Sequence, residues 1–137
     1  MKPILYVDIE GPIITPGGHD NHRLGGGISD YAKTFLHWAT DKFDVRWLTC
    51  RSPRDAFHVA DVLKLRGDAI PFTSFDVLKT DAIDPRSNFY WLDSVLIPSE
   101  VDWVARHGHH DRVITVNPLH GVQPEHREKL ERALTNR

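Results

Sequence analysis

Two periods alternate along this chain. "PILYVD", residues 3 to 8, is apolar on both faces, the pattern of a strand covered on both sides of a sheet. A glycine-rich polar stretch follows. "SDYAKTFLHWATDKF" then switches to a helical period, with Ser29 as the expected N-cap and Ala32, Phe35, Leu36 and Ala39 on one face. "DVRWLTC", residues 44 to 50, reads as a second strand. "SPRDAFHVADVLKLRG" reads as a helix with Ser52 as N-cap, Pro53 at the first helical position, an apolar stripe of Ala56, Val59, Ala60 and Leu63, and Gly67 as terminator. "AIPFTSF" predicts a short edge strand, because Pro71 argues against a central one. "NFYWLDSVLI" holds a strand over about residues 88 to 93. "SEVDWVARHG" predicts a short helix capped by Ser99 and ended by Gly108, and "DRVITV" another strand. "QPEHREKLERAL" predicts a last helix opened by Pro124, with Glu125–Lys129 and Glu128–Arg132 pairs four residues apart. Strands alternating with helices predict an α/β fold with a parallel sheet and helices on both faces.

The length of 137 residues suits one domain, residues 1–137, with a core of useful size. A net charge of -2 removes any global attraction to nucleic acid and leaves only a local basic groove as a route to it. Cys50 is the only cysteine, so no internal disulfide and no multi-cysteine metal cage can form, and a reducing, cytoplasmic setting is expected. "MKPILYVDIEG" lacks a cleavage-site pattern, and no apolar run approaches the roughly 20 residues that span a bilayer, so no membrane partner is expected. The stretch "TPGGHDNHRLGGG", residues 15 to 27, reads as a flexible surface loop.

Chemistry enters at the strand ends. In parallel sheets ligands gather beyond the carboxyl ends of the strands. Asp8, Thr49 and Asp93 each end a predicted strand at that edge. Asp8 and Asp93 on neighbouring strands would make a hard oxygen site suited to Mg²⁺, whose waters phosphate oxygens can replace. An aspartate can also act as a nucleophile and carry a phosphoryl group. Such a group needs hydrogen-bonding and cationic partners. Thr49 supplies a hydroxyl, and Lys79, fourteen positions before Asp93, a cation.

"YVDIEG", "WLT", the lysine of "VLKTDAI" and "WLDS" stand in the order and spacing of the four motifs of the haloacid-dehalogenase-like (HAD) superfamily, which the chain resembles over almost its whole length. The terminal "VNPLHGVQPEHREKL" is also similar to the HAD domain of Swiss Army Knife RNA repair proteins. The resemblance implies a three-layer Rossmann-like sandwich with strand order 3-2-1-4-5 and Mg²⁺-dependent phosphate-ester hydrolysis. It implies Asp8 as nucleophile and metal ligand. The backbone carbonyl of Glu10 would be a second ligand and its side chain the general acid/base. Thr49 and Lys79 would hold phosphoryl oxygens, and Asp93 would complete the metal site.

The sequence departs from the usual Asp-x-Asp-Gly-Thr or -Val at Glu10 and Pro12. Glu10 moves the proton donor by about an ångström, a displacement that can cost roughly 100-fold. Pro12 has no N–H for a phosphate. Ser94 stands where many relatives carry a second acid, with Glu100 and Asp102 as nearby substitutes. Thirteen residues at 15 to 27 cannot build a cap, so an open site would admit a bulky phosphate ester such as an RNA or DNA end or a phosphoprotein, with His19, His22 and Arg23 near its phosphates. The alternative is a weak or inactive module that binds a phosphorylated or protein partner. A phosphoacceptor receiver domain needs a lysine after the last strand, and "VITVNPLH" has none.

Other features read structurally. "HGHHD", residues 107 to 111, lacks the helical spacing of a zinc pair and reads as a solvated helix end. "GGG" at 25 to 27 does not directly follow a strand and is no dinucleotide loop. Cys50 reads as a small buried residue, and Trp38, Trp47, Trp91 and Trp103 as core.

Overall fold

The computed structural model describes residues 1–19, 24–66 and 69–136. Four parallel strands form the central sheet: β1 (Ile4–Val7), β4 (Asp44–Trp47), β5 (Phe89–Asp93) and β6 (Val113–Thr115), in the spatial order β4-β1-β5-β6. Strands β2 (Ile14–Thr15) and β3 (Gly27–Ile28) form a separate antiparallel pair. The helices are α1 (Ala32–Lys42), α2 (Pro53–Val62), α3 (Pro98–His107) and α4 (Pro124–Thr135).

The strand period sorts side chains to two faces. Leu5, Val7, Val45, Trp47, Tyr90, Leu92 and Ile114 pack with Ala32 and Phe35 of α1, Ala56 and Val59 of α2 and Leu130 of α4. On the other face Tyr6, Phe89 and Trp91 pack with Val104 of α3 and with Ile83, which follows a 3-10 turn at Lys79–Ala82. The result is the expected α/β sandwich of three layers. Each fully buried Leu, Val or Phe in these layers contributes roughly 1.5–3 kcal/mol, enough in sum to carry the buried charges described below.

The expected outer strand over "AIPFTSF" contributes only one bridge, Phe72 to Trp47, with the Trp47 amide donating to the Pro71 carbonyl at 2.9 Å. Pro71 has no amide to extend the ladder. The four-stranded sheet is thus the 2-1-4-5 part of the expected order.

Several termini differ from the sequence pattern. Ser29 does not cap α1: it is buried, and its hydroxyl donates to the Pro12 carbonyl at 3.1 Å. Ser52 does cap α2, accepting from the Asp55 amide at 3.1 Å. That helix ends at Val62, where Lys64 takes a left-handed φ of 61° and the Leu65 amide returns to the Ala60 carbonyl, so the stop precedes Gly67, which lies outside the described residues. Ser99 sits inside the first turn of α3, and the cap comes from Glu100, whose carboxylate accepts from the Ile97 amide at 3.1 Å. On α4 the pair that forms is Arg127–Glu131 at 2.7 Å, in place of the two expected pairs.

The described parts of the 15-to-27 stretch, residues 15–19 and 24–27, are held in place, and residues 20–23 lie outside the described residues. Its two ends pair as β2 and β3, Gly18 packs against the Gly27 backbone, and Leu24 is buried. Among the described residues no helix is long and apolar enough to cross a membrane.

Candidate functional site

Register builds the site. Val7 of β1 stands beside Leu92 of β5, and the Asp8 amide donates to the Leu92 carbonyl at 3.0 Å. One step further, Asp8 stands level with Asp93. Both have the parity of Tyr6 and Trp91, so both side chains point to the layer that holds α3 and the Lys79–Ala82 turn. Lys79 meets them there. Its Nζ lies 2.7 Å from Asp93 Oδ2 and 3.3 Å from Asp8 Oδ2. All three residues are buried.

Each member is fixed by further bonds. Asp8 Oδ1 accepts from the Ile9 amide at 2.8 Å. Asp93 Oδ1 accepts from the Ser94 amide at 2.7 Å, and its Oδ2 from the Trp91 indole at 3.1 Å. The Lys79 amide donates to Glu100 Oε2 at 3.1 Å, so one buried glutamate caps α3 and anchors the lysine. Burial pushes the Asp8 carboxyl up to about 7, and the Asp93 charge adds to it while Lys79 opposes. Burial alone would lower the Lys79 ammonium, but the Asp8 and Asp93 charges override it and hold it above its ordinary value.

Glu10 behaves differently. Its side chain is largely exposed and turns to Arg51, whose Nε donates to Glu10 Oε1 at 2.6 Å. Arg51 also donates to the Leu24 carbonyl and reaches Asp55 at 3.3 Å. The Glu10 carbonyl accepts from the Ser94 hydroxyl at 3.2 Å. Gly11 makes that turn with φ +96°, and a Cβ there would run into the Ser94 side chain. Thr49 lies two residues beyond β4, buried, with its hydroxyl accepting from the Arg51 amide at 3.2 Å. A 380 Å³ cleft opens beside it, lined by Thr49, Arg51, Phe72 and Phe75 among others.

The donor set fits a magnesium ion. Two buried carboxylates and one peptide carbonyl on adjoining backbone are hard oxygen ligands. The pair carries one more negative charge than Lys79 offsets, which adds to the burial that pushes Asp8 up, and a divalent cation would relieve that excess.

The structure therefore brings together Asp8, Lys79 and Asp93, with the Glu10 carbonyl and Thr49 at the same rim. It turns the Glu10 side chain outward. Asp102 is exposed and Glu100 is occupied by backbone amides, so neither stands free as a fourth acid. His19 pairs with Asp30 at 2.7 Å, and His22 and Arg23 lie outside the described residues. Cys50 is exposed rather than buried, because β4 stops three residues earlier and leaves it in the loop before α2. Among the described residues no cluster of histidine, cysteine and acidic side chains forms a metal cage, and His107 and His109 bond the carbonyls of Trp103 and Pro85 instead. Trp47 and Trp91 are fully buried, and Trp38 and Trp103 are half-buried against the core.

Sequence reasoning missed Arg51, the anchoring by Glu100 and the Trp91 indole bond. Only the last had a signal, since residues two apart on a strand share a face.

No family model matches the sequence, and no curated protein matches it. Solved structures are similar. One is the fission yeast RNA polymerase II CTD phosphatase Fcp1-R271A bound to beryllium fluoride, with TM-score 0.50 and 13% identity, covering 98% of this chain and 50% of that one. Another is Fcp1, described as an essential RNA polymerase II CTD phosphatase, with TM-score 0.48 and 11% identity, covering 99% of this chain and 50% of that one. The chain spans about half the length of these structures. At such identity the likeness is one of fold alone, an α/β sandwich around a parallel sheet.

Proposed function

We propose that the chain is a Mg²⁺-dependent phosphohydrolase that passes a phosphoryl group through Asp8. The observation that carries this reading is the convergence of Asp8 and Asp93 on Lys79 at one rim of the sheet. An Asp8 carboxylate oxygen attacks phosphorus, and the bond to the leaving oxygen breaks as protonated Glu10 supplies a proton. Water then attacks the aspartyl-phosphate, the Glu10 carboxylate takes its proton, and inorganic phosphate leaves with Asp8 restored. Lys79 and Thr49 hold the phosphoryl oxygens. Asp8, Asp93 and the Glu10 carbonyl would hold Mg²⁺, which supplies charge neutralisation to the phosphoryl group.

The substrate in this reading is an accessible phosphate ester, including an RNA or DNA end, in the cytoplasm. The ordered motifs and the "VNPLHGVQPEHREKL" tail support kinship with the HAD domain of Swiss Army Knife RNA repair proteins.

A second reading rests on a separate observation. Arg51 holds the Glu10 carboxylate outward, which suits a weakly active or inactive module that binds a phosphorylated or protein partner. The test is hydrolysis of p-nitrophenyl phosphate and of a 5′-phosphorylated oligonucleotide with Mg²⁺, wild type against Asp8→Asn. Turnover that Asp8→Asn abolishes is the expected result. Mg²⁺ binding without turnover on either substrate selects the second reading.

A further inference from the structure

The two edges of the sheet end differently. Beyond β4 the edge is bridged at Trp47, with its amide bonded to the Pro71 carbonyl and the Thr73 amide to the Trp47 carbonyl at 3.0 Å. Beyond β6 no strand pairs among the described residues. The Val116 amide donates to the Asp93 carbonyl at 2.9 Å, and Ile114 is in register with Leu92. Successive residues of a strand alternate the side to which their peptide groups point. The N–H and C=O groups of Val113 and Thr115 therefore face outward.

A cleft flanks this edge on each side. Toward α4 lies one of 530 Å³, floored by Tyr90 and Ile114 and ringed by Arg112, Lys129 and Arg132 against the single acid Asp111. Lys129 and Arg132 have no carboxylate partner among the described residues. Arg112 is held in place: its Nη1 donates to Asn88 Oδ1 at 2.8 Å and to the Phe89 carbonyl at 3.1 Å, and its guanidinium lies over the Tyr90 ring. Toward α3 lies a cleft of 320 Å³, lined by Leu96, Val101, Val104 and Val113. Val101, Val95 and Ile97 are exposed beside it.

We propose that the free edge of β6 takes an extended segment of a partner protein as an added strand, one in which acidic and apolar side chains alternate. The outward peptide groups of Val113 and Thr115 would supply the ladder. Acidic side chains of the segment fall toward Arg112, Lys129 and Arg132, and apolar ones toward Leu96, Val101 and Val104. Charge selects this occupant over a second copy of the chain. Two copies paired antiparallel through β6 would place the cationic clefts on the same face, cation toward cation, and β6 offers only Val, Ile and Thr in exchange. The proposal is independent of the phosphohydrolase reading.

The test uses the full chain and a fluorescein-labelled short peptide alternating glutamate and leucine. Two controls accompany it: lysine for glutamate, and the same residues in two blocks. Anisotropy should show the alternating acidic peptide binding at least about ten-fold more tightly than either control, and Lys129→Glu with Arg132→Glu should weaken it by a similar factor. Thr115→Pro, which removes one outward N–H and leaves the β5 ladder intact, should abolish binding. Amide exchange in the wild type should slow at Val113 and Thr115 when peptide is bound, a readout that stands even where the proline variant does not fold. Asp8→Asn should bind the peptide unchanged, which separates this site from the rim. Equal binding of the block peptide, absence of binding, or unchanged exchange at Val113 and Thr115 overturns the proposal. So does a concentration-dependent dimer in sedimentation that Thr115→Pro dissolves.

Discussion

Two groups of charges follow the carboxyl ends of β1, β4 and β5, and they are held in different ways. Asp8, Lys79 and Asp93 are buried, spaced by strand register and tied down by backbone amides and an indole. Glu10, Arg51 and Asp55 lie in the turn after β1 and at the start of α2, with the Glu10 and Asp55 side chains substantially exposed. In the first group, burial costs several kcal/mol per ion unless each charge is paired. In the second only the carboxylates are exposed: the Arg51 side chain is mostly buried and also donates to the Leu24 carbonyl, while Glu10 and Asp55 keep their water. The trio is thus fixed by burial and by paired bonds, whereas the Glu10 carboxylate is held only through Arg51 at an exposed turn.

The largest break in that contrast is Lys79→Met. It leaves two carboxylates in a buried site without a cation, and a loss of about 3–5 kcal/mol in urea denaturation is expected. Adding Asp8→Asn, or Mg²⁺ to the single variant, should recover part of the loss. Full stability of Lys79→Met alone would show that the trio is not coupled.

Gly11→Ala strikes the joint between the two groups. Its φ of +96° and the approach of Ser94 leave no room for a Cβ. A loss of about 1–3 kcal/mol is expected in the same measurement, with turnover falling as the Glu10 carbonyl shifts.

Arg51→Ala should do the reverse to the balance of stability and activity. Stability should fall by about 1–3 kcal/mol, because Arg51 is mostly buried and its loss leaves the Leu24 carbonyl without its donor. Turnover of p-nitrophenyl phosphate should rise as the Glu10 carboxylate is released. A steep fall in turnover would instead make Arg51 part of the productive arrangement.

A titrating group outside the rim sharpens the comparison least but tests its electrostatics. Burial holds the His126 imidazole below its ordinary value, with Glu125 opposing, and its Nδ1 accepts from the Gln123 amide at 2.8 Å. The unfolded chain therefore binds this proton first as the pH falls. The His126 contribution is complete above about 6.5 and is lost as the pH drops from there toward the lower folded value. Urea midpoints measured across that window should decline as the pH falls, and His126→Gln should flatten the decline.

Much of this was legible in one dimension. The alternation of strand and helix patterns gave the layered sheet, because period and parity are properties of the chain itself. Ser52 and Pro53 marked the start of α2, and Gly108 the end of α3, because those caps act within a few residues. Ser29 and Ser99 misled for the converse reason. Each is a good cap in isolation, but Ser29 found a carbonyl seventeen residues away and Glu100 took over the cap at α3. Asp8, Thr49, Lys79 and Asp93 could be picked as residue types at strand ends and in an ordered motif set. Strand ends placed Asp8 and Asp93 at one edge, but the insertion of Lys79 between their carboxylates depends on how the turn before β5 packs against β1 and β5.

The sequence by itself determined the layers, the parity that points Asp8 and Asp93 to one face, and the turn at Gly11. Those are local consequences of side-chain size, backbone freedom and period. Tertiary structure alone decided that Lys79 stands between two carboxylates, that Arg51 grips Glu10, and that one edge of the sheet is bridged by Pro71–Thr73 while beyond β6 no strand pairs among the described residues. Each of these joins segments distant in the chain, and which segments meet is set by the packing of the whole core.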